Sequence, residues 1–146
     1  MLQSMVWSLK QTFRRFREEA PMAWAVFLAG AGICSGLIAF QAMLSPTFGF
    51  FALLLSGLAL GALGFRMRDS VIAAFLMGYV AYAIGSVASV VGQSLIAGYP
   101  LELVTAYTAI AILVGLVFGT VAGIWTAGGA AVGFVVRRKP HAGHLL

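Results

Sequence analysis

AILVGLVFGTVAGIWTAGGAA, residues 111–131, decides how this chain folds. A small residue stands at every fourth position: Ala111, Gly115, Gly119, Gly123, Ala127 and Ala131. Large apolar side chains, among them Ile112, Leu113, Val117, Phe118 and Trp125, fill the spaces between. In hydrocarbon, helices gain little by hiding Leu from lipid, so they associate where backbones approach closely, and Gly and Ala permit that approach. The segment is also long enough to span a bilayer. It reads as the packing spine of a small polytopic membrane protein, with a glycine-zipper pattern. Each four-residue step advances about 400°, so the small stripe drifts about 40° per step. One straight partner cannot follow it throughout. The drift predicts that Ala111–Gly119 and Gly123–Ala131 meet different helices, with the handover at Gly119 and Gly123.

Composition agrees with that reading. The chain has 146 residues, 62% hydrophobic and only 9% charged. Soluble domains average about 25% charged residues, so this chain lies far outside their class. Its 18 glycines sit inside apolar runs, where transmembrane helices tolerate them. The net charge of +5 does not point to nucleic acid, because the basic residues cluster at segment ends and no soluble basic domain carries them. Anionic lipid headgroups are the expected partner. The single cysteine, Cys34, excludes an intrachain disulfide and reads as a buried packing residue. Ile33 and Ala31 do not fit a lipoprotein cleavage site, and the first apolar run is too long for a signal-peptide core.

Outward from the spine, the chain divides into an amphipathic segment, four apolar spans and a tail. Within residues 1–20, Leu2, Met5, Val6, Leu9, Phe13 and Phe16 recur at helical spacing. Lys10, Arg14, Arg15 and Arg17 lie on or flank the other face. This pattern predicts a helix lying in the membrane interface or covering a neighbouring subunit. Spans are expected at about 22–44, 48–65, 71–97 and 103–136. The first two carry Gly32-x-x-x-Gly36 and Gly57-x-x-x-Gly61. Ser70 or Asp69 is expected to cap the third. The run Leu101–Val136 would be roughly 54 Å long as one helix, against about 30 Å of hydrocarbon. It therefore either tilts and protrudes or breaks, and Gly128-Gly129 is the obvious break point. Residues 140–146 read as a flexible tail.

In a four-span arrangement all nine basic residues fall on one side. Lys10, Arg14, Arg15 and Arg17 precede the first span, Arg66 and Arg68 separate the second and third, and Arg137, Arg138 and Lys139 follow the fourth. The opposite loops carry only Glu102. The positive-inside rule then places both termini in the cytoplasm, with a prokaryotic plasma membrane as the expected location. Lys10, Arg14, Arg15, Arg17, Arg137, Arg138 and Lys139 are the expected headgroup contacts.

Chemistry-bearing residues are scarce. His141 and His144 sit in the tail, and Asp69 and Glu102 sit at loops. No acid, base or nucleophile is placed inside a span, so neither catalysis, a metal nor a cofactor is expected. The third span carries a polar stripe of Tyr79, Tyr82, Ser86, Ser89 and Gln93, beside a small stripe of Ala74, Gly78, Ala81, Gly85, Ala88 and Gly92. Polar groups facing lipid are costly, so the stripe must face protein or water. Interhelical hydrogen bonding is one reading, and a hydrated pathway with Gln41 of the first span as partner is the other. The expected function is a non-catalytic membrane subunit that packs by small-residue faces (Gly32, Gly36, Gly57, Gly61, Gly115, Gly119, Gly123, Ala127) into a homo-oligomer or larger complex. A small channel or carrier along the third span is the alternative.

The charge asymmetry makes a topology prediction. Cysteines at Thr47 and Tyr99 should react with an impermeant thiol reagent from outside intact cells, and cysteines at Met67 and His141 should not. Outside labelling at Met67 would contradict four spans.

Overall fold

A computed structural model describes residues 7, 10, 11, 13, 14, 17–40, 46–64 and 66–138. Among these residues four long helices follow in order: α1 (Pro21–Ala39), α2 (Pro46–Leu63), α3 (Met67–Ile96) and α4 (Leu101–Arg138). No strand occurs among the described residues. Three helices, α1, α3 and α4, are long and apolar enough to cross a membrane, with mean hydropathies of 1.9, 1.9 and 2.1. The fourth, α2, is shorter, with an apolar stretch over Thr47–Leu63. The described residues between Trp7 and Glu19 also have helical backbone. Among them Phe13 stacks edge-on against Trp24 and Phe27 of α1, at 5.8 and 5.6 Å between ring centroids. The remainder of the expected N-terminal stripe, Arg15, Gln41, Lys139 and the tail lie outside the described residues.

Two hairpins, α1–α2 and α3–α4, lie side by side. α1 runs antiparallel to α2, with Cys34 Sγ 3.6 Å from Ser56 Oγ. It runs parallel to α3, with Gly30 on Met77 and Gly85 on Ser35 and Ile38. α2 runs parallel to α4, with Gly57 on Thr126 and Gly61 on Ala130. The α3–α4 contact is the most extensive. It is antiparallel, pairing Gly123 with Phe75, Gly119 with Tyr79 and Gly115 with Ser86. α1 and α4 occupy opposite corners. The core between these helices is built mainly from small side chains, such as Ala23, Ala73, Ala74 and Ala130, around Leu60 and Met77.

The closest approaches explain why the core is small. A Cβ added at Gly57 would run into the Thr126 carbonyl, one at Gly61 into the Ala130 carbonyl, and one at Gly133 into the Leu58 carbonyl. Gly78 of α3 is closed in the same way by Thr126 Oγ1 and the Ala122 carbonyl. Thr126 thus stands where α2 and α3 both meet α4. It is fully buried, and its hydroxyl is satisfied by the Ala122 carbonyl one turn earlier, at 2.7 Å.

The spine changes partners, as its drift requires, but further inward than expected. Gly115, Gly119 and Gly123 all face α3. The close glycine contacts with α2 begin at Thr126 and continue through Gly129, Ala130 and Gly133. A straight helix presents one face every 3.6 residues, so a stripe stepping by four must be left for its neighbour by a three-residue step. Thr126 and Ala130 therefore take the places expected for Ala127 and Ala131, which are only half-buried.

Two further expectations change. α4 does not break at Gly128-Gly129; it is one helix of 38 residues, about 57 Å long. Gly129 is held against the Leu54 carbonyl and Leu58 of α2, and continuous packing supports the helix there. α3 begins at Met67, four residues before the expected start, and Arg66 is its N-cap without a side-chain cap bond. Ser70 is thereby inside the first turn, and its hydroxyl donates back to the Arg66 carbonyl at 3.0 Å instead of capping. At the far end, α3 closes on Gly98, whose φ of 69° is the left-handed conformation that glycine adopts without strain. The Tyr99 N–H bonds the Ser94 carbonyl and the Gly98 N–H bonds the Leu95 carbonyl, both at 3.1 Å. These are the paired bonds of a Schellman termination. Pro100 directly precedes α4, and its carbonyl accepts the Leu103 and Val104 N–H groups.

Thr126 offers a test of the junction. Thr126→Val keeps the shape and loses only a local hydrogen bond, so its stability in detergent should stay within about 1 kcal/mol of the parent. Thr126→Leu should cost about 1–3 kcal/mol by overpacking between Gly57 and Gly78. Thermal unfolding of the two variants checks this.

Candidate functional site

The polar stripe of α3 divides between two neighbours. Tyr79 is half-buried, stacks on Phe75 and lies along Gly119 of α4. Tyr82 stacks on Phe118 of α4 with centroids 6.3 Å apart and tilts against Phe50 of α2. Ser86 is buried against Gly115 and donates to the Ala83 carbonyl at 3.1 Å. Ser89 is 6% exposed and accepts the Gln93 amide at 3.0 Å. Gln93 itself is exposed. The stripe therefore turns inward over Ser86 and Ser89 and reaches the surface at Gln93.

Two cavities meet at Ser89. One, about 240 Å³, lies between α3 and α4 and is lined by Tyr82, Ser86, Ser89, Tyr107, Ala111 and Val114 among others. The other, also about 240 Å³, lies between α3 and the end of α1, lined by Phe40, Ala88, Ser89, Gly92 and Gln93 among others. The expected partner Gln41 follows Phe40 directly but lies outside the described residues. Among the described residues no buried side-chain nitrogen or oxygen lacks a hydrogen-bond partner, and no group of three His, Cys, Asp or Glu side chains is gathered as a metal would need. The arrangement offers hydroxyls and one amide. These groups can donate and accept hydrogen bonds.

The expected packing residues separate into two groups. Gly57, Gly61, Gly115, Gly119 and Gly123 lie in close helix contacts. Gly32 and Gly36 do not: no described residue stands within 4 Å of where their Cβ atoms would be, and Gly30 makes the α1 contact instead. On α3 the small stripe is buried from Ala74 through Gly85, while Ala88 is exposed and Gly92 has open space beside it.

The described basic residues of the loops gather at the end of the bundle where α2 finishes and α3 starts. Arg137 reaches across from α4, and its Nη1 donates to the carbonyls of Ala62 and Gly64 at 3.1 and 3.0 Å. These carbonyls end α2 and have no partner within their own helix, so a cation there satisfies them and opposes the helix dipole. Arg137 was expected at lipid headgroups, and the structure gives its guanidinium this second task. Sequence reasoning missed it because capping across 73 positions leaves no local signal. Arg138 lies 4.4 Å over the Phe134 ring. Arg14 pairs with Glu18 at 3.1 Å on an exposed face, and Lys10 and Arg17 are exposed.

Comparison with protein-family models gives no match, and comparison with curated proteins and with solved structures gives none either.

Arg137→Gln should lower the unfolding temperature by the equivalent of about 1 kcal/mol, because two terminal carbonyls lose a charged donor. Arg138→Gln, without such bonds, should change it less. Paired thermal unfolding curves in detergent check the difference.

Proposed function

We propose that this chain is a non-catalytic integral membrane subunit, with four spans and both termini in the cytoplasm, that assembles through small-residue faces into a homo-oligomer or a larger membrane complex. The observation that carries the proposal is the open Gly32–Gly36 face of α1. A glycine-zipper surface is built for close helix approach, yet no described residue lies within 4 Å of where a Cβ at Gly32 or Gly36 would be. Glycine toward lipid contributes no contact area, whereas glycine toward a second helix allows backbones to meet. The apolar surface of α4 supports membrane placement, with Leu113, Val117, Ile124 and Val136 each more than 60% exposed. The contact of Phe13 with Trp24 and Phe27, together with exposed Lys10, Arg14 and Arg17, supports residues 1–20 as a helix lying on the anionic inner surface. Glu102 at the opposite end carries no attraction for that surface.

The second reading, a small channel or carrier along α3, draws on the two cavities that share Ser89. The local bonds Ser86–Ala83 and Gln93–Ser89 favour the first reading, because they engage the Ser86 hydroxyl and the Gln93 amide as donors without a water column.

Gly32→Leu and Gly36→Leu distinguish assembly from a free monomer. Native mass measurement in mild detergent should show the parent above monomer mass, or with stoichiometric partners, and the variants shifted toward monomer. Their thermal stability as monomers should be unchanged, since the added side chains meet open space. A parent that is monomeric and alone would contradict the proposal.

A further inference from the structure

The cavity between α3 and α4 has three features that together describe a ligand. First, it holds hydroxyl donors without acceptors. Ser89 accepts the Gln93 amide, but its own proton has no acceptor among the described residues, although the residue is only 6% exposed. The phenols of Tyr82 and Tyr107, on opposite walls, likewise have no hydrogen-bond partner among the described residues. Second, the walls present two aromatic rings and the apolar side chains of Val90, Ile110 and Val114. Third, no charged side chain lines it. The cavity lies roughly 22–33 Å along α3 from Met67, in the half of the bundle away from the arginines. Ser89 is buried there, Tyr82 is half-buried and Tyr107 is 43% exposed toward the apolar surface. A hydroxyl shielded from water without an acceptor is costly, so the site calls for one.

We propose that this cavity binds an uncharged, ring-headed amphiphile carrying carbonyl oxygens, a molecule of the quinone class. The flat head sits between the rings of Tyr82 and Tyr107. Its carbonyl oxygens accept the hydroxyls of Tyr82, Tyr107 and Ser89. Its apolar tail leaves across Ile110 and Val114 toward lipid. A phosphate or carboxylate headgroup does not fit, because no Lys or Arg is present to hold the charge. A saturated hydrocarbon does not fit either, because it leaves the hydroxyls unanswered. This inference rests on membrane placement alone, so a failure of self-association would not touch it.

The test uses the full chain in nanodiscs of uncharged phosphatidylcholine, titrated with ubiquinone-1. The fully substituted ring of this probe does not add to the Cys34 thiol. Saturable binding is expected, with prenylbenzene, which has a tail and ring but no oxygen, failing to compete. Tyr82→Phe and Tyr107→Phe remove only hydroxyls and should each weaken binding about three- to tenfold, with unfolding temperatures unchanged. Ser89→Ala supplies an independent variant should either ring substitution disturb folding. Absence of saturable binding, equal binding of prenylbenzene, or full affinity in the Tyr82→Phe/Tyr107→Phe double variant would overturn the proposal.

Discussion

The backbone approach at Thr126 sets the terms for the rest of the bundle. Three helices meet there, and they can do so only because Gly57 and Gly78 lack side chains. In water, bundles hold together by burying large apolar groups. In a membrane that drive is absent, and van der Waals contact between close backbones takes its place. The chain is built accordingly. Its core is rich in Ala and Gly, and many of its large apolar residues, such as Leu113, Val117 and Ile124, point outward. Removing water from these outward groups would gain nothing if they already lie in lipid.

Helix lengths follow from the same arrangement. Gly57 faces Thr126, and Trp125 Nε1 donates to the Phe50 carbonyl at 3.1 Å, so the register between α2 and α4 is pinned at both sites. With that register, the first part of α4 runs beyond the start of α2. α3 follows it, because Gly115, Gly119 and Gly123 hold the two together. The α3–α4 hairpin is therefore longer than the α1–α2 hairpin, 30 and 38 residues against 19 and 18. The cavity at Tyr82, Ser86, Ser89 and Tyr107 lies where the longer hairpin begins to lose the support of the shorter one.

Hydropathy made the all-helical class and the apolar segments readable, because a long apolar run has one economical conformation in a membrane. Gly57, Gly61, Gly115, Gly119 and Gly123 were readable for the same reason. The choice between Ala127 and Thr126 was not, since it depends on which partner α4 faces at that depth. Gly32 and Gly36 have the same spacing as Gly57 and Gly61, yet among the described residues only the latter pair meets another helix. Local sequence cannot separate a contact within the chain from one outside it. Counting α4 with a 3.6-residue period would have raised Ala122, Thr126, Gly129 and Gly133, all of them buried. For Ser86 and Ser89 the inward direction followed from polarity. The cavity beside them depends on Tyr107, which enters from another helix and carried no signal.

Alanine scanning of the glycines tests the backbone-contact account most directly. Gly57→Ala, Gly61→Ala, Gly78→Ala and Gly133→Ala each add one methyl where a carbonyl or the Thr126 hydroxyl already stands. Gly92→Ala and Gly128→Ala add the same methyl where nothing lies within 4 Å. Alanine is the better helix former by roughly 0.5–1 kcal/mol, so substitution in open space should be neutral or stabilising. The measurement is reversible unfolding of the six variants in one detergent. The account predicts that the first four lose stability and the last two do not. Equal shifts in both groups would mean that close backbone contact does not hold this bundle together.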